Sequence, residues 1–118
     1  MKVTALDLVI EIEPDEMKKY MYEAAQALDE TFYELLTSAP AYGDAFDEWE
    51  RQINMYTTMK FDNSNDYIFA DFILYTTPWK GFALVPICKK WLSLCDDNCK
   101  LKPLLQECVD KNVQLFWE

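Results

Sequence analysis

The sequence predicts an α+β fold for a single compact domain spanning residues 1–118, with a small, mostly antiparallel sheet packed by helices. The predicted element order is β-α-α-β-β-α-α-β. A length of 118 residues suits one domain, and an apolar fraction of 51% is sufficient for a core. Apolar residues recur with both the strand period and the helix period. Only 2 glycines are present, which disfavours a fold of many short strands joined by tight turns.

The N-terminal part is predicted to form one strand and one long helix. Residues 3–12 alternate between apolar and partly acidic positions, which predicts a strand whose buried face comprises Leu6, Leu8, Ile10 and Ile12. Pro14 begins the helix, with Asp15 and Glu16 beside its positive end, and the helical pattern extends to about Thr37. The apolar stripe of this helix comprises Met17, Met21, Ala24, Leu28, Phe32 and Leu35.

The middle of the chain is predicted to form a second helix and a hairpin. Asp44 is a suitable N-cap for a helix that extends to about Thr57. The polar run 62–66 predicts a loop, and the aromatic and β-branched segment 67–77 predicts a central strand. Residues 82–85 are expected to return as the second arm of a hairpin with that strand.

The C-terminal part is predicted to form two helices and a final strand. Pro86 begins a helix that ends near Cys95. Pro103 begins a shorter helix that ends near Asn112, because asparagine suits the position just after a helix. Residues 113–118 are predicted to form the last strand.

Charge is distributed unevenly along the chain, whose formal net charge is −10. Residues 1–50 carry 13 acidic and 3 basic residues, a net of −10, whereas residues 51–118 carry 8 of each, a net of zero. Nucleic acid phosphates and anionic membrane surfaces would repel such a protein, and basic surfaces would attract it. We therefore expect a basic protein as the partner, with no direct binding to nucleic acid or to membranes.

Most of this acid is predicted to lie on the outer sides of the first two helices. Glu30 and Glu34 are like charges four residues apart, which costs roughly a few tenths of a kcal/mol in a helix. A surface that tolerates such repulsion suits a basic partner, and the alternative interpretation is a solubilising surface. The predicted partner-binding residues are Glu16, Glu23, Glu30, Glu34, Asp44, Asp47, Glu48, Glu50, Tyr22 and Tyr33.

The residues needed for catalysis are scarce. Histidine is absent, and 2 glycines cannot form a glycine-rich phosphate loop, so we expect no enzyme, no catalytic residues and no cofactor. Asp71 lies in an apolar segment, where a buried acid would suggest a site, but an edge or hydrogen-bonded position is favoured. Asp7 and Glu11 interrupt the apolar N-terminal stretch, and no run reaches the roughly 20 apolar residues of a membrane span. We expect a cytoplasmic protein.

All four cysteines lie in the last third of the chain, with spacings of seven, four and nine residues. No C-x-x-C pair is present, so buried free thiols are favoured over a zinc site, and no metal is predicted. If the helix continued through residues 96–98, three cysteines on one face could converge on zinc with the fourth. A disulfide is expected only in an oxidising compartment. Free, disulfide-bonded and zinc-bound states remain open for Cys88, Cys95, Cys99 and Cys108.

In size, acidity and lack of catalytic residues the chain resembles small acidic inhibitors of nucleases, namely phage DNA-mimic antirestriction proteins, anti-CRISPR proteins and toxin-immunity proteins. The resemblance is compositional, and no motif carries it. It implies a non-enzymatic protein-binding module whose acidic helical face, residues 15–50, docks on a nuclease or another basic nucleic-acid-handling protein. The alternative is a small phage or bacterial structural or accessory protein whose acidity serves only solubility. The partner's identity and the oligomeric state are left open.

Overall fold

Four strands and six helices make up the described part of the chain, residues 1–61 and 64–118 of a computed structural model. The α+β class and the antiparallel sheet packed by helices are confirmed, and the predicted element order matches roughly. The strands are β1 (Lys2–Ala5), β2 (Leu8–Glu11), β3 (Gly81–Ala83) and β4 (Leu115–Trp117). The helices are α1 (Pro14–Leu28), α2 (Glu30–Thr37), α3 (Asp44–Lys60), α4 (Ser64–Tyr75), α5 (Val85–Leu94) and α6 (Lys102–Lys111).

The sheet has the strand order β2-β1-β4-β3, and every neighbouring pair is antiparallel. The last strand therefore lies between β1 and β3. Val3 and Ala5 of β1 and Leu115 and Trp117 of β4 are fully buried, because alternate residues of a strand point to one face. The opposite face carries a row of cross-strand partners, which are Val9, Thr4, Phe116 and Phe82.

The predicted single strand over residues 3–12 is wrong, because a two-residue turn at Leu6 and Asp7 folds it into a β1–β2 hairpin. Leu6 has a φ of 56°, a left-handed conformation that is uncommon for a bulky residue, and its side chain is 50% exposed. The turn lacks the glycine or asparagine that usually signals a hairpin. The predicted buried face is also wrong at Leu6 and Leu8, and Val3 and Ala5 are buried instead.

The predicted long helix over residues 14–37 is divided at Asp29, whose backbone is extended with φ −164° and ψ 121°. Its Oδ1 accepts a hydrogen bond from the Thr31 N–H at 3.1 Å and so caps α2. Its Oδ2 accepts a hydrogen bond from the Tyr56 hydroxyl of α3 at 2.6 Å. One aspartate thus ends the alignment of α1 with α2 and ties both to α3. The apolar stripe is retained, with Met17, Met21, Ala24 and Phe32 buried and Leu28 and Leu35 partly buried.

The predicted second helix is present as α3 and extends to Lys60. Gly43, with a φ of 84°, occupies the N-cap position, and Asp44 is the first helical residue rather than the cap. Trp49 fixes the N-terminal half of α3 on α2, because its Nε1–H donates to the Leu35 carbonyl at 2.7 Å.

The predicted central strand over residues 67–77 is wrong, because α4 occupies most of that segment. Phe69, Ala70 and Ile73 are buried, which is the spacing of one side of a helix. The segment is apolar on both strand faces, and periodicity alone does not separate a buried strand from a buried helix in such a run. Of the predicted loop 62–66, residues 62 and 63 lie outside the described residues, and 64–66 belong to α4.

The predicted hairpin between segments 67–77 and 82–85 is consequently absent, and β3 pairs with β4 instead. The C-terminal helices are confirmed as α5 and α6, and Asn112 takes the left-handed conformation just after α6 with a φ of 56°. The helix does not continue through residues 96–98, because Cys95 is already extended with ψ 140°.

Four aromatic side chains join the sheet to the helices. Trp117 of β4 contacts Trp91 of α5 and Phe72 of α4, with ring centroids 6.4 and 6.3 Å apart, and Phe69 of α4 contacts Trp91 at 6.3 Å. The Trp117 Nε1–H donates to the Thr77 carbonyl at 3.1 Å. The Trp91 Nε1–H, although fully buried, has no acceptor among the described residues. We call Phe69, Phe72, Trp91 and Trp117 the aromatic cluster.

The two buried tryptophans differ in whether the indole N–H has an acceptor among the described residues, and a pair of matched variants tests this difference. Both Trp91→Phe and Trp117→Phe remove similar packing, but only the second leaves a part-buried carbonyl, that of Thr77, without its donor. We expect Trp117→Phe to lower the free energy of unfolding by about 1–3 kcal/mol more than Trp91→Phe, measured by urea titration. Equal losses, or a larger loss for Trp91→Phe, would contradict the hydrogen-bond assignment.

The Asp29–Tyr56 contact is expected to stabilise the junction of α1, α2 and α3. Asp29→Ala removes both the cap and this bond and should cost about 1–3 kcal/mol in urea unfolding. In a double-mutant cycle with Tyr56→Phe, we expect a coupling free energy of about 1 kcal/mol. A second double-mutant cycle, of Asp29→Glu with Tyr56→Phe, is the control, because the longer side chain of glutamate does not reproduce the cap. A coupling near zero in the alanine cycle would show that the contact adds no stability.

Candidate functional site

The predicted partner-binding residues lie on three different helices rather than on two continuous rows. Seven of the eight carboxylates are exposed, Glu16 is half-buried, and both tyrosines are half-buried. The helix α2 packs on α3, through the Trp49–Leu35 hydrogen bond among other contacts. The positions are Glu16, Tyr22 and Glu23 on α1; Glu30, Tyr33 and Glu34 on α2; and Asp44, Asp47, Glu48 and Glu50 on α3.

Glu16 is engaged within the protein. Its Oε1 accepts a hydrogen bond from the Tyr20 hydroxyl at 2.8 Å and lies 3.2 Å from Lys100 Nζ. The hydrogen bond from Tyr20 and the Lys100 cation hold the pKa of Glu16 below its usual value. Burial and this same bond raise the pKa of Tyr20 to about 12. Glu16 therefore ties α1 to the segment before α6, and its carboxylate already has a cation and a hydrogen-bond donor within the molecule.

Two further carboxylates have a basic neighbour. Glu48 accepts two bonds from Arg51, at 2.6 Å from Nη2 and 3.1 Å from Nε, and this hydrogen bonding lowers the pKa of Glu48. Glu23 lies 3.9 Å from Lys19 Nζ in an exposed pair. Exposed pairs of this kind are screened by water and salt and contribute little to stability.

The remaining five carboxylates keep their charge unpaired. In residues 1–61 and 64–118, no lysine or arginine nitrogen lies within 4.0 Å of any of them. Some basic residues of the second half of the chain form ion pairs with other carboxylates. Lys90 Nζ lies 2.6 Å from Asp66 Oδ1, and Lys102 Nζ lies 2.6 Å from Asp97 Oδ1. The charge imbalance of the sequence thus persists on the folded surface. The unpaired carboxylates are Glu30, Glu34, Asp44, Asp47 and Glu50.

Two clefts bring some of the predicted residues together. The first, of about 510 Å³, lies between the α1–α2 junction and the turn after α5, and we call it the acidic cleft. Three carboxylates line it, those of Glu23, Glu30 and Asp96, and none of its lining residues is basic. A neighbouring cleft brings Tyr22, Tyr33 and Glu23 together, and Lys18 Nζ lies 5.4 Å from the centre of the Tyr22 ring. The four acidic positions of α3 line neither of these two clefts.

Sequence reasoning missed two residues of the α3 surface. Met55 and Met59 are exposed, Met59 by 80%, and helical spacing places them on the same side as Asp44 and Glu48. Only Ile53 and Thr57 of the 17 residues of α3 are buried. Flexible methionine side chains are common at adaptable binding surfaces. The four-residue spacing of Met55 and Met59, opposite Ile53, is the signal that could have identified them.

Asp71 and the four cysteines are the other residues that could act in catalysis or bind a metal. Asp71 is exposed, so it is not a buried catalytic acid. Among the described residues no group of three or more Cys, Asp or Glu side chains could hold a metal ion, and no helix there is long and apolar enough to cross a membrane. Cys88 and Cys108 are buried together between α5 and α6, where burial raises the pKa of both thiols. Cys95 and Cys99 lie together on the wall of the acidic cleft.

The difference between Glu16 and Glu34 predicts opposite effects on stability. At neutral pH Glu16→Gln should lower the free energy of unfolding, because it weakens the Lys100 and Tyr20 contacts. Glu34→Gln should leave it unchanged or raise it by a few tenths of a kcal/mol, since it removes repulsion from Glu30. Chemical denaturation of both variants, matched in charge change, measures this difference.

The pH dependence gives a second readout for Glu16. Because its pKa is lowered on folding from 4.5, its stabilisation is fully present above pH 4.5 and is lost as the pH falls through the folded-state pKa. The difference in the free energy of unfolding between wild type and Glu16→Gln should therefore disappear at acidic pH. A difference that persists unchanged at acidic pH would contradict the assigned role.

Known proteins provide no functional assignment for this chain. Comparisons with protein-family models, with curated proteins and with solved structures find no match.

Proposed function

We propose that the protein is a non-enzymatic inhibitor or binding module that docks on a basic, nucleic-acid-handling protein through its acidic helices. The docking surface comprises the exposed acidic residues of α1, α2 and α3, with Tyr22 and Tyr33 as aromatic contacts. Glu16 is assigned a supporting role, because it already binds Tyr20 and Lys100. The proposal includes a cytoplasmic location, where nucleases and their inhibitors meet.

The observation that carries the proposal is the set of five exposed carboxylates without a basic neighbour. A solubilising helix surface normally mixes charges, because pairs four residues apart stabilise the helix. Here Glu30 and Glu34 repel each other, and Asp44, Asp47 and Glu50 follow on the helix that packs on α2. Lysines and arginines of a phosphate-binding groove would remove that repulsion on binding.

The mechanism follows from competition for those cations. A nucleic-acid groove binds phosphates by releasing counterions, and a fixed array of carboxylates offers the same cations another anion. Association would be fast and salt-sensitive, since long-range attraction between opposite charges steers the encounter. Met55 and Met59 would add apolar contact at the edge of the charged surface.

A structural or accessory role is the second candidate, and the outward face of the sheet favours it. Phe82, Phe116 and Val9 lie in one cross-strand row, and all three side chains are exposed. An exposed apolar row of this kind suits a permanent assembly contact. In this reading the acidic residues serve only solubility.

The two candidates are separated by capture with matched variants. Wild-type protein, an acidic-face variant (Glu34→Gln, Asp47→Asn, Glu50→Gln) and a control variant (Asp71→Asn, Asp110→Asn, Glu118→Gln) carry a binding tag and are exposed to native host extract at about 50 mM salt. Both variants change the net charge equally and at exposed positions. We expect wild type and control to retain a basic nucleic-acid-binding protein that is released by about 200 mM salt, and the acidic-face variant to lose it.

The captured protein is then purified and mixed with a labelled DNA duplex. Wild type should displace the duplex at least about tenfold better than the acidic-face variant, because three cation-binding groups are missing from the latter. Equal displacement by all three proteins, or no basic protein retained at low salt, would overturn the proposal. A partner lost on Phe116→Ser but retained by the acidic-face variant would establish the second candidate.

A further inference from the structure

The turn after α5 places two thiols side by side in the acidic cleft. Cys95 follows the last residue of α5 with an extended backbone, and the chain then reverses. The Asp96 carbonyl accepts a hydrogen bond from the Cys99 N–H at 3.3 Å, and Asp96 Oδ1 accepts one from the Asn98 N–H at 2.9 Å. This turn brings Cys95 and Cys99, four residues apart, to one wall of the cleft.

The two thiols interact, and the interaction makes them unequal. The hydrogen bond between them lowers the pKa of Cys99 and raises the pKa of Cys95, although burial opposes ionisation of both. Of the two thiols, Cys99 is therefore the one that ionises more readily. Such an arrangement supplies a nucleophile and a neighbouring resolving thiol.

Access to this pair differs from access to the other two cysteines. Cys95 is partly exposed, Cys99 is buried with 6% of its surface exposed, and both line the open cleft. Cys88 and Cys108 are fully buried, and the Cys88 thiol donates to the Ala83 carbonyl at 3.3 Å. The second pair is thus an internal control of similar composition but without an approach from solvent.

The charges around the pair select the reagent that approaches it. Within the acidic cleft, Glu23, Glu30 and Asp96 surround the thiols without a lining lysine or arginine. Cys99 also borders a second depression that contains Lys100 and Lys102. Both lysines are already paired with carboxylates, Lys100 with Glu16 and Lys102 with Asp97. In the acidic cleft Glu23 is paired with Lys19, whereas Glu30 and Asp96 have no basic neighbour within 4.0 Å among the described residues, so this cleft keeps unpaired negative charge and attracts cations.

We propose that Cys95 and Cys99 form a reactive dithiol that takes small cationic disulfides as its substrate and closes to an intramolecular disulfide. The Cys99 thiolate attacks one sulfur of the disulfide, its S–S bond breaks, and one thiolate leaves and takes up a proton. The Cys95 thiol then loses its proton and attacks the Cys99 sulfur, which releases the second thiol. The protein loses two electrons and two protons, and the disulfide is reduced to two thiols. This inference does not depend on the proposed protein partner.

The experiment uses three small disulfides that differ in charge: cystamine, which is cationic, 2-hydroxyethyl disulfide, which is neutral, and oxidised glutathione, which is anionic. Folded, reduced wild-type protein is incubated with each at low ionic strength, quenched by alkylation and digested with trypsin. The peptide 91–100 contains both Cys95 and Cys99 and no other cysteine. We expect this peptide to lose two hydrogens and escape alkylation, while Cys88 and Cys108 stay alkylated in their own peptides.

The rate should fall in the order cystamine, 2-hydroxyethyl disulfide, glutathione disulfide, with cystamine at least about tenfold faster than glutathione disulfide. Added salt should reduce the difference, and Glu23→Gln with Glu30→Gln should do the same at low salt. Unfolding in urea should abolish both the charge order and the protection of Cys88 and Cys108.

Two single variants assign the roles. Cys95→Ser should accumulate a stable mixed disulfide at Cys99, because the resolving thiol is missing. Cys99→Ser should react at Cys95 more slowly than Cys95→Ser reacts at Cys99. Closure absent from peptide 91–100, equal rates for all three disulfides at low salt, or faster oxidation of Cys88 and Cys108 in the folded protein would each overturn the proposal.

Discussion

Trp117 is the constraint on which the rest of the fold depends. It lies on β4, and β4 is hydrogen-bonded to both β1 and β3, so this strand joins segments that are far apart in the sequence. Its ring contacts Phe72 of α4 and Trp91 of α5, and its Nε1–H fixes the segment after α4 at Thr77. Backbone bonds between Lys2 and Glu118, at 3.0 and 3.1 Å, join the two ends of the chain beside it. Because α5 is held by this cluster, the turn that follows α5 has a fixed position against α1.

Sequence reasoning succeeded where a local rule agrees with the packing. Pro86 and Pro103 lie in the first turn of helices, and Asn112 follows the end of one, because each residue's backbone preference matches the structure. It failed where the deciding contact lies far along the chain. Asp29 interrupts a regular helical stripe because Tyr56, 27 residues later, binds its carboxylate, and no spacing rule reports that contact. The aromatic and β-branched composition of segment 67–77 predicts a strand, whereas most of it is the helix α4, which packs against α1 and α5.

The candidate site was predictable in composition but not in arrangement. Counting charges along the chain is enough to find the acidic half, and the exposure of Glu30, Glu34, Asp44 and Asp47 agrees with helical phasing, whereas phasing places Glu50 closer to the core edge although it is exposed. Phasing on one continuous helix could not show that Glu16 contacts Lys100, a residue 84 positions away, because ion pairs across the fold depend on how helices pack. Nor could it join Glu23 and Glu30 to the cysteines, since the acidic cleft combines the α1–α2 junction with the turn after α5.

That combination gives the charge asymmetry of the sequence a second consequence. Glu23 and Glu30, two of the carboxylates that we propose to bind a basic partner, also line the cleft that contains Cys95 and Cys99. Glu23 and Asp96 each raise the pKa of Cys99, so they oppose the thiolate that the Cys95 hydrogen bond favours. A cation entering the cleft cancels that opposition while it delivers its own charge to the carboxylates. Attraction of the reagent and activation of the nucleophile therefore have the same electrostatic cause, which is why neutralising Glu23 and Glu30 acts on the selectivity between reagents rather than on the thiol pair alone.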